Sequence, residues 1–154
     1  MELGATSADH LVVTPPGDIA ALAASDTVAV FLPGTPFGLA TGHYSPARAF
    51  IEAGAVVALA TDMNPGTSPC PSMQFVIALA CRYMKMLPAE AVAAATINAA
   101  HAIRRGGVVG SLEVGKQGDL LILETDDYRE LAYQFGGNLV RTVVKAGWVV
   151  WGEG

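Results

Sequence analysis

Short apolar runs separated by amphipathic segments dominate the first part of the sequence. The runs cover residues 5–10, 27–32 and 55–61. Between them lie two segments whose apolar residues recur at helical spacing, opened by Pro15-Pro16-Gly17-Asp18 and by Pro46, and proline is favoured at the first position of a helix. The valines of the later runs show no polar alternation, which is typical of strands buried on both faces of a parallel sheet. The pattern predicts the order β-α-β-α-β.

The sequence after residue 61 begins with a loop rich in proline, glycine and serine. Apolar residues at helical spacing then predict a long helix over residues 72–86, which Leu87-Pro88 breaks. Pro88 opens a second helical stretch that ends before Gly106-Gly107. From about residue 108 the pattern becomes β-rich, with predicted strands over 119–123, 139–145 and 148–151 and a short helix near 128–133.

The number of these βα units limits which folds the chain is able to form alone. A closed (β/α)8 barrel needs eight strands and about 250 residues, whereas this chain of 154 residues shows three βα units. An open parallel sheet of three strands leaves unpaired edges and uncovered faces. We therefore expect an α/β fold that is part of a larger barrel, or a subunit completed by another chain, followed by a small β-rich module.

Composition narrows the classes of function. Hydrophobic residues make up 52% of the chain, charged residues 15%, and the formal net charge is −5. Lys and Arg are concentrated nowhere beyond Arg104-Arg105, which argues against nucleic-acid binding. No apolar run reaches the roughly 20 residues that span a bilayer, so no membrane partner is expected. The start of the sequence has no signal-peptide pattern and Cys70 and Cys81 form no disulfide framework, so we expect a cytoplasmic protein.

Two polar residues follow predicted strands at the end where α/β enzymes place their chemistry. Asp62 follows the third run and His10 ends the first. A carboxylate in this position is able to ligate a divalent cation and take a proton from an attacking water, and a histidine is able to ligate metal or hydrogen-bond an oxyanion. The alternatives are an aspartate that caps a turn or the next helix, and a histidine that packs at a strand end.

The loop after Asp62 contains further candidates. Pro65 fixes the backbone and Gly66 permits close approach, so the Asn64 amide, a backbone N–H and the Thr67 hydroxyl are able to converge on a carboxylate or carbonyl. Judged by its residue types alone, the segment is an ordinary turn. We interpret His43, His101 and both cysteines as structural, because none has metal-ligand spacing to another ligand type.

Several segments, in order along the chain, resemble the imidazolonepropionase family of the amidohydrolase superfamily. The most specific is the Asp-x-Asn-Pro-Gly-Thr loop at residues 62–67, followed by the helix that contains Met73-Gln74. The other matching segments are Ser7-Ala8-Asp9-His10-Leu11, Val28-Ala29-Val30-Phe31-Leu32-Pro33-Gly34, Ala95-Thr96-Ile97-Asn98-Ala99-Ala100 and Gly110-Ser111-Leu112-Glu113-Val114-Gly115-Lys116-Gln117-Gly118-Asp119-Leu120. The last two are common to many amidohydrolases.

The resemblance implies a reaction in histidine degradation, the metal-dependent hydrolysis of the cyclic amide of 4-imidazolone-5-propanoate to N-formimidoyl-L-glutamate. It implies that Asp62, on the eighth barrel strand, ligates one divalent metal, zinc or iron, and handles the proton of the attacking water. It implies that His10, on the sixth strand, stabilises the tetrahedral oxyanion. It also implies that Asn64 and Gly66 contact the glutamate-like part of the ligand and that Thr67 contacts the substrate.

Other parts of the family pattern are not in this chain. Members carry a His-x-His pair on the first barrel strand, a metal-binding histidine on the fifth strand with a catalytic glutamate after it, and upstream arginine and tyrosine contacts. The resemblance therefore implies that residues 1–107 are the last three βα units of a (β/α)8 barrel and that residues 108–154 are the C-terminal segment of a small β-sandwich domain. The expected partners are a small-molecule substrate, the missing N-terminal part with the remaining metal ligands, and a second copy in a homodimer. We expect the chain alone to be inactive.

Two alternatives stay open. The Gly115-Lys116-x-Gly118-Asp119 turn is common among amidohydrolases, so the chain also fits a hydrolase that acts on a different cyclic amide or amine. In that case residues 64–67 decide the substrate. The third hypothesis is a non-catalytic module that keeps half a barrel as an interaction surface.

Overall fold

Strands alternate with helices in the first part of the chain and form an antiparallel sheet in the last part. The computed structural model describes residues 3–152. The strands are β1 (Ser7–Asp9), β2 (Val28–Phe31), β3 (Val57–Leu59), β4 (Leu120–Leu123), β5 (Val140–Lys145) and β6 (Trp148–Trp151). The helices are α1 (Pro16–Ala23), α2 (Gly34–Gly38), α3 (Ala47–Glu52), α4 (Met73–Tyr83), α5 (Pro88–Ala95), α6 (Ile97–Ala102) and α7 (Glu130–Tyr133). Within the described range, none of these helices is long and apolar enough to cross a membrane.

The first three strands pair in parallel, in the order β1-β2-β3. Ser7 lies opposite Val28, and Ala29 lies opposite Val57. The three predicted strands and the helices α1 and α3 between them are therefore confirmed, and the structure adds α2, a short helix that the pattern did not predict. Because neighbouring strands run in the same direction, their carboxyl ends lie at one edge of the sheet.

Both faces of this sheet are covered, which explains why its strands lack polar alternation. Every residue of β2 and β3 is buried. Ala29 and Phe31 point into a core with Phe50 and the apolar face of α4, while Val28 and Val30 pack with Ala58 and with alanines of α6 on the other face. The Phe31 and Phe50 rings meet edge to face with their centroids 5.2 Å apart, a geometry that aromatic pairs prefer.

Most helix boundaries follow the predicted signals. Pro16 begins α1 and Pro88 begins α5. The Ser72 hydroxyl caps α4 by accepting the backbone N–H of Phe75 at 3.2 Å. This helix ends at Tyr83, before the predicted residue 86, because Lys85 adopts a left-handed backbone with φ of 57°. The stretch after Pro88 is interrupted at Thr96, whose φ of −123° and ψ of −94° separate α5 from α6.

The last three strands form the predicted β-rich module. They pair antiparallel in the order β4-β5-β6. Ala146 and Gly147, with φ of 51° and 83°, make the turn between β5 and β6, and positive φ at both central residues is the backbone of a type I′ hairpin turn. The hairpin predicted at this dipeptide is confirmed.

Helix α4 anchors this module. The Gln74 side chain donates to Asn138 Oδ1 at 2.7 Å and accepts the backbone N–H of Leu139 at 2.9 Å. At the other end of the helix, Arg82 donates to the carbonyls of Ala132 and Tyr133. Leu139 and Ala132 are buried in the same core as Phe31, so the module shares its packing with the parallel sheet.

Asp119 ties the start of β4 to the β5–β6 turn. Its carboxylate accepts hydrogen bonds from Lys145 Nζ, from the Ala146 backbone N–H at 2.8 Å and from Gln117 Nε2 at 2.9 Å. The hydrogen bond from Lys145, followed by those from Ala146 and Gln117, lowers the pKa of Asp119 from 3.8 to about 2. The turn of residues 115–119 before β4 therefore has a structural role, because its Asp119 carboxylate holds β4 against the β5–β6 turn.

We predict that Asp119→Asn lowers the free energy of unfolding at neutral pH. A carboxyl group whose pKa is depressed by folding stabilises the fold above its unfolded pKa, and this contribution disappears as the pH falls through about 2. Chemical unfolding followed from neutral pH down to about 3 checks this, since the difference between the parent and the variant must shrink. Asp126→Asn, at an exposed neighbour, is the control. If the free energy of unfolding of Asp119→Asn stays below that of the parent by the same amount at every pH, the prediction is contradicted.

Candidate active site

His10 and Asp62, the two candidates at strand ends, lie close together. His10 follows β1 and Asp62 follows β3, and the distance from His10 Nε2 to Asp62 Oδ2 is 3.9 Å. This is longer than a direct hydrogen bond. The two side chains are 51% and 31% exposed, so a small molecule is able to reach both. The structure thus brings these residues to one edge of the sheet, as expected from the parallel strands.

Both residues adopt a left-handed backbone, with φ of 69° at His10 and 49° at Asp62. Such values are uncommon for residues other than glycine, although histidine and aspartate tolerate them better than most. Hydrogen bonds hold His10 in place: its N–H donates to the Val30 carbonyl at 3.0 Å, and its carbonyl accepts the hydroxyl of buried Ser45. Strained backbone of this kind concentrates at functional sites.

Thr35 is a third residue of this site. It lies in α2, directly after β2, and its Oγ1 donates to Asp62 Oδ2 at 2.6 Å. The three parallel strands thus each deliver one polar side chain to the same edge. The sequence interpretation did not identify Thr35, although its place after the second apolar run, at the edge shared with His10 and Asp62, was a usable signal.

The loop after Asp62 is held by the Asn64 side chain. Asn64 Oδ1 accepts the backbone N–H groups of Gly66 at 3.0 Å and Thr67 at 2.8 Å, while its Nδ2 donates to the Asp62 carbonyl at 2.6 Å. The Thr67 hydroxyl also contacts the Asn64 amide. The Asn64 amide, the backbone N–H groups and the Thr67 hydroxyl therefore lie together as predicted, and they hydrogen-bond to one another.

This loop packs closely against α2. The hydroxyl of buried Ser68 donates to the Thr61 carbonyl at 2.9 Å and fixes the base of the loop. A Cβ atom at Gly38 would lie 2.1 Å from the Thr67 carbonyl oxygen, and one at Gly34 would lie 2.6 Å from Ser68 Oγ. Gly38 is needed because the two backbones approach too closely there for any side chain, and Gly34 leaves room for the Ser68 hydroxyl.

An open cavity of about 810 Å³ lies beside these residues. Its lining includes His10 and Thr35, the two residues that contact the Asp62 carboxylate, together with Leu39, His43 and Tyr44. The Tyr44 ring stacks on Tyr83 at a centroid distance of 4.7 Å, and burial, with the neighbouring Tyr83, raises the pKa of Tyr44. His43, which we interpreted as structural from the sequence, is exposed and lines this cavity.

The remaining candidates lie outside the site. His101 is in α6, beside Gly106. Cys70 and Cys81 are free thiols, as expected from their spacing, and burial raises the pKa of Cys81. Among residues 3–152, no group of three or more histidine, cysteine, aspartate or glutamate side chains is arranged to hold a metal ion.

Sequence comparison relates the chain to the Amidohydrolase family. The pattern of the Amidohydrolase family matches residues 8–150. The chain is 59% identical over 150 residues to a protein named imidazolonepropionase from Herpetosiphon aurantiacus, and 57% identical over 150 residues to one from Chloroflexus aggregans. Each alignment covers 97% of this chain and 35% of the relative. The chain thus spans about a third of the length of the curated relatives that it matches.

Comparison with solved structures finds the same fold in other proteins. A zinc-bound adenosine deaminase from Xanthomonas campestris superimposes with a TM-score of 0.82 at 24% identity, over 93% of this chain and 36% of the deaminase. At this identity the likeness concerns the fold alone. With the family pattern matched over nearly the whole sequence and the mixed α/β fold in agreement, the chain belongs to the amidohydrolase family.

Proposed function

We propose that this chain is part of an imidazolonepropionase, which hydrolyses the cyclic amide of 4-imidazolone-5-propanoate to N-formimidoyl-L-glutamate in histidine degradation. The observation that carries the proposal is the 59% identity to the Herpetosiphon aurantiacus relative over 97% of this chain. The pairing of His10 with Asp62 beside an open cavity supports it, because the reaction needs a proton acceptor and an oxyanion donor at one place.

The chain supplies the C-terminal part of the enzyme in this proposal. Residues 1–107 are the last three βα units of a (β/α)8 barrel, and residues 108–154 are the C-terminal segment of a small β-sandwich domain. Two features support this: β1 and β3 are edge strands of a short parallel sheet, and the chain matches about a third of its relatives. The remaining strands come from the missing N-terminal part. A homodimer and a cytoplasmic location belong to the same proposal.

The family implies one divalent metal, zinc or iron, and the residues present fit part of its site. Asp62 would hold it, because its carboxylate lies at a strand end and is partly exposed. Catalytic metal sites ordinarily use three protein ligands, and the described residues offer no such group, so the other ligands lie upstream. When bound, the metal supplies Lewis-acid polarisation of the amide carbonyl and makes water easier to deprotonate.

The residues of this chain carry the proton transfers of the proposed reaction. Asp62 accepts a proton from the water that attacks the carbonyl carbon of the ring. His10, whose Nε2 lies 3.9 Å from the Asp62 carboxylate, donates a hydrogen bond to the oxygen that becomes negative. As the tetrahedral carbon collapses, its bond to the ring nitrogen breaks and that nitrogen takes the proton. The single ring-opened product carries the formimidoyl nitrogen and the new carboxyl group, which releases the remaining proton of the water to solvent as it ionises.

We assign the glutamate-like part of the substrate to the loop of Asn64, Gly66 and Thr67. The N–H groups of Gly66 and Thr67 and the Thr67 hydroxyl are gathered around the Asn64 amide, so a carboxylate arriving here would meet several donors. Substrate contacts at this loop exchange hydrogen bonds within the loop for hydrogen bonds to the ligand. Asn64 then both shapes the loop and binds the glutamate-like part of the substrate.

We predict that activity requires the upstream part of the enzyme. The test compares the 154-residue chain with a chimera in which this chain replaces the matching segment of the Herpetosiphon aurantiacus relative. We expect the chain alone to retain no zinc or iron and to leave 4-imidazolone-5-propanoate unchanged, because it holds one of the metal ligands. The chimera should bind one metal ion per subunit and hydrolyse the substrate until EDTA removes the metal.

Other outcomes separate the alternatives. Turnover by the homogeneous isolated chain, abolished by EDTA, contradicts its dependence on upstream ligands. A chimera that binds metal but hydrolyses only a different cyclic amide or amine favours another amidohydrolase. A well-folded isolated chain that binds a protein partner, with a chimera that has neither metal nor activity, favours a non-catalytic module.

We predict that Asn64→Ala in the chimera impairs turnover more than metal content. The substitution removes the acceptor for two backbone N–H groups and the donor to the Asp62 carbonyl, so the loop loses its shape while the Asp62 carboxylate remains. We expect kcat/KM to fall by about 10- to 100-fold, the loss typical of a few hydrogen bonds at about 1 kcal/mol each. Zinc per subunit and steady-state kinetics are the measurements.

Asn64→Asp is the matched control for this prediction. It keeps the acceptor for the Gly66 and Thr67 N–H groups, but it exchanges the Nδ2 donor for a carboxylate oxygen and adds a negative charge to the loop. We expect it to keep the metal content of the parent and to raise KM, because the added charge repels the carboxylate of the substrate. Unchanged turnover of 4-imidazolone-5-propanoate in Asn64→Ala would contradict the assignment of this loop to substrate binding.

A further inference from the structure

The Asp62 carboxylate is held from one side. Its Oδ2 accepts the Thr35 hydroxyl at 2.6 Å and lies 3.9 Å from His10 Nε2. In the part of the chain that the structure describes, both contacts fall on this oxygen, which leaves Oδ1 without a hydrogen bond from the protein. A carboxylate held by one oxygen in this way has a defined rotamer and one oxygen available for other ligands.

Thr35 is well placed to hold the Asp62 carboxylate. The residue lies between buried Gly34 and Pro36 in α2, and its N–H donates to the Leu32 carbonyl at 3.2 Å. Its own carbonyl accepts the Leu39 N–H at 3.0 Å. Because a threonine in a helix has few accessible χ1 rotamers, this fixed backbone limits the hydroxyl to a small number of directions, one of which reaches Asp62 Oδ2.

Asp62 needs such support, because its backbone alone does not determine where the carboxylate points. The residue has φ of 49° and begins an irregular loop. Its carbonyl is tied to Asn64 at 2.6 Å, but this bond constrains the main chain and leaves χ1 and χ2 free. The hydrogen bond from Thr35 is a direct restraint on the side chain.

We infer that Thr35 is a positioning residue, which holds Asp62 through Oδ2 so that Oδ1 is the oxygen presented to the metal and the attacking water. The inference rests on the proposed function, in which Asp62 is a metal ligand. Hydrogen bonds to ligating carboxylates orient the ligand, and their loss typically reduces metal affinity or activity by about 10- to 100-fold.

The test uses three substitutions in the chimera. Thr35→Val keeps the shape and removes the hydroxyl, Thr35→Ser keeps the hydroxyl, and Thr96→Val, at an exposed threonine that bonds to the Val92 carbonyl, is the matched control. We expect Thr35→Val to lower kcat by about 10- to 100-fold, with KM changed about twofold at most because the substrate loop is intact. Thr35→Ser should restore most of kcat.

A second readout does not depend on substrate. Competition with a chelator measures the dissociation constant for zinc, which should rise by about 10- to 100-fold in Thr35→Val and change little in Thr35→Ser and Thr96→Val. The thermal midpoint of the metal-free protein separates positioning from a loss of folding, and we expect it to be the same in all variants. Thr35→Ala gives the same comparison where the valine methyl group is not accommodated.

Several results overturn the inference. Thr35→Val with unchanged kcat and zinc affinity does so, as does Thr35→Ser impaired as severely as Thr35→Val, or a parent chimera that binds no zinc. A parent chimera that binds zinc without hydrolysing 4-imidazolone-5-propanoate contradicts the proposed function alone. In that case the zinc affinities of the variants still decide the role of Thr35.

Discussion

Parallel pairing of three short strands is the constraint on which the candidate site depends. The register that sets Asp9 opposite Val30 and Phe31 opposite Leu59 aligns the carboxyl ends of the strands. His10, Thr35 and Asp62 are far apart in sequence, yet each follows one of these strands. Burial of β2 and β3 on both faces holds the register, because a shift by one residue would exchange the faces of Phe31 and Val30.

The loop that carries Asp62 achieves its shape through polar contacts and close backbone approach. Asn64 ties the loop together, and Gly38 lets the Thr67 carbonyl pack against α2. These interactions rigidify the main chain around the carboxylate, and the Thr35 hydroxyl then restrains the side chain. Together these contacts restrain both the backbone and the carboxylate of Asp62, so a ligand that reaches this carboxylate meets a group whose direction is already set.

The sequence predicted the elements that periodicity and proline or glycine signals define. The three parallel strands, the start of α1 at Pro16 and the hairpin at Ala146-Gly147 are examples. The structure also agrees with the prediction that His10 and Asp62 lie together, since this follows from strand direction alone. Their catalytic roles stay a prediction.

Features set by tertiary packing were not predictable in this way. Helix α2 contains two glycines and a proline, which have poor helix propensity, and it is held by its contact with the loop of residues 62–68. The place of Thr35 after β2 was a usable signal for the site, but local patterns do not predict its hydrogen bond to a carboxylate 27 residues away. The break at Thr96 likewise lies within an alanine-rich stretch that favours a continuous helix.

The central claim is that Asp62 is one ligand of a metal site completed by sequence outside this chain. Anomalous diffraction at the metal absorption edge, from crystals of the chimera, tests it most directly. The account predicts one anomalous peak per subunit, bonded to the Asp62 carboxylate at the carboxyl ends of β1, β2 and β3 and to residues from the upstream segment. A peak that Asp62 does not contact would contradict the claim.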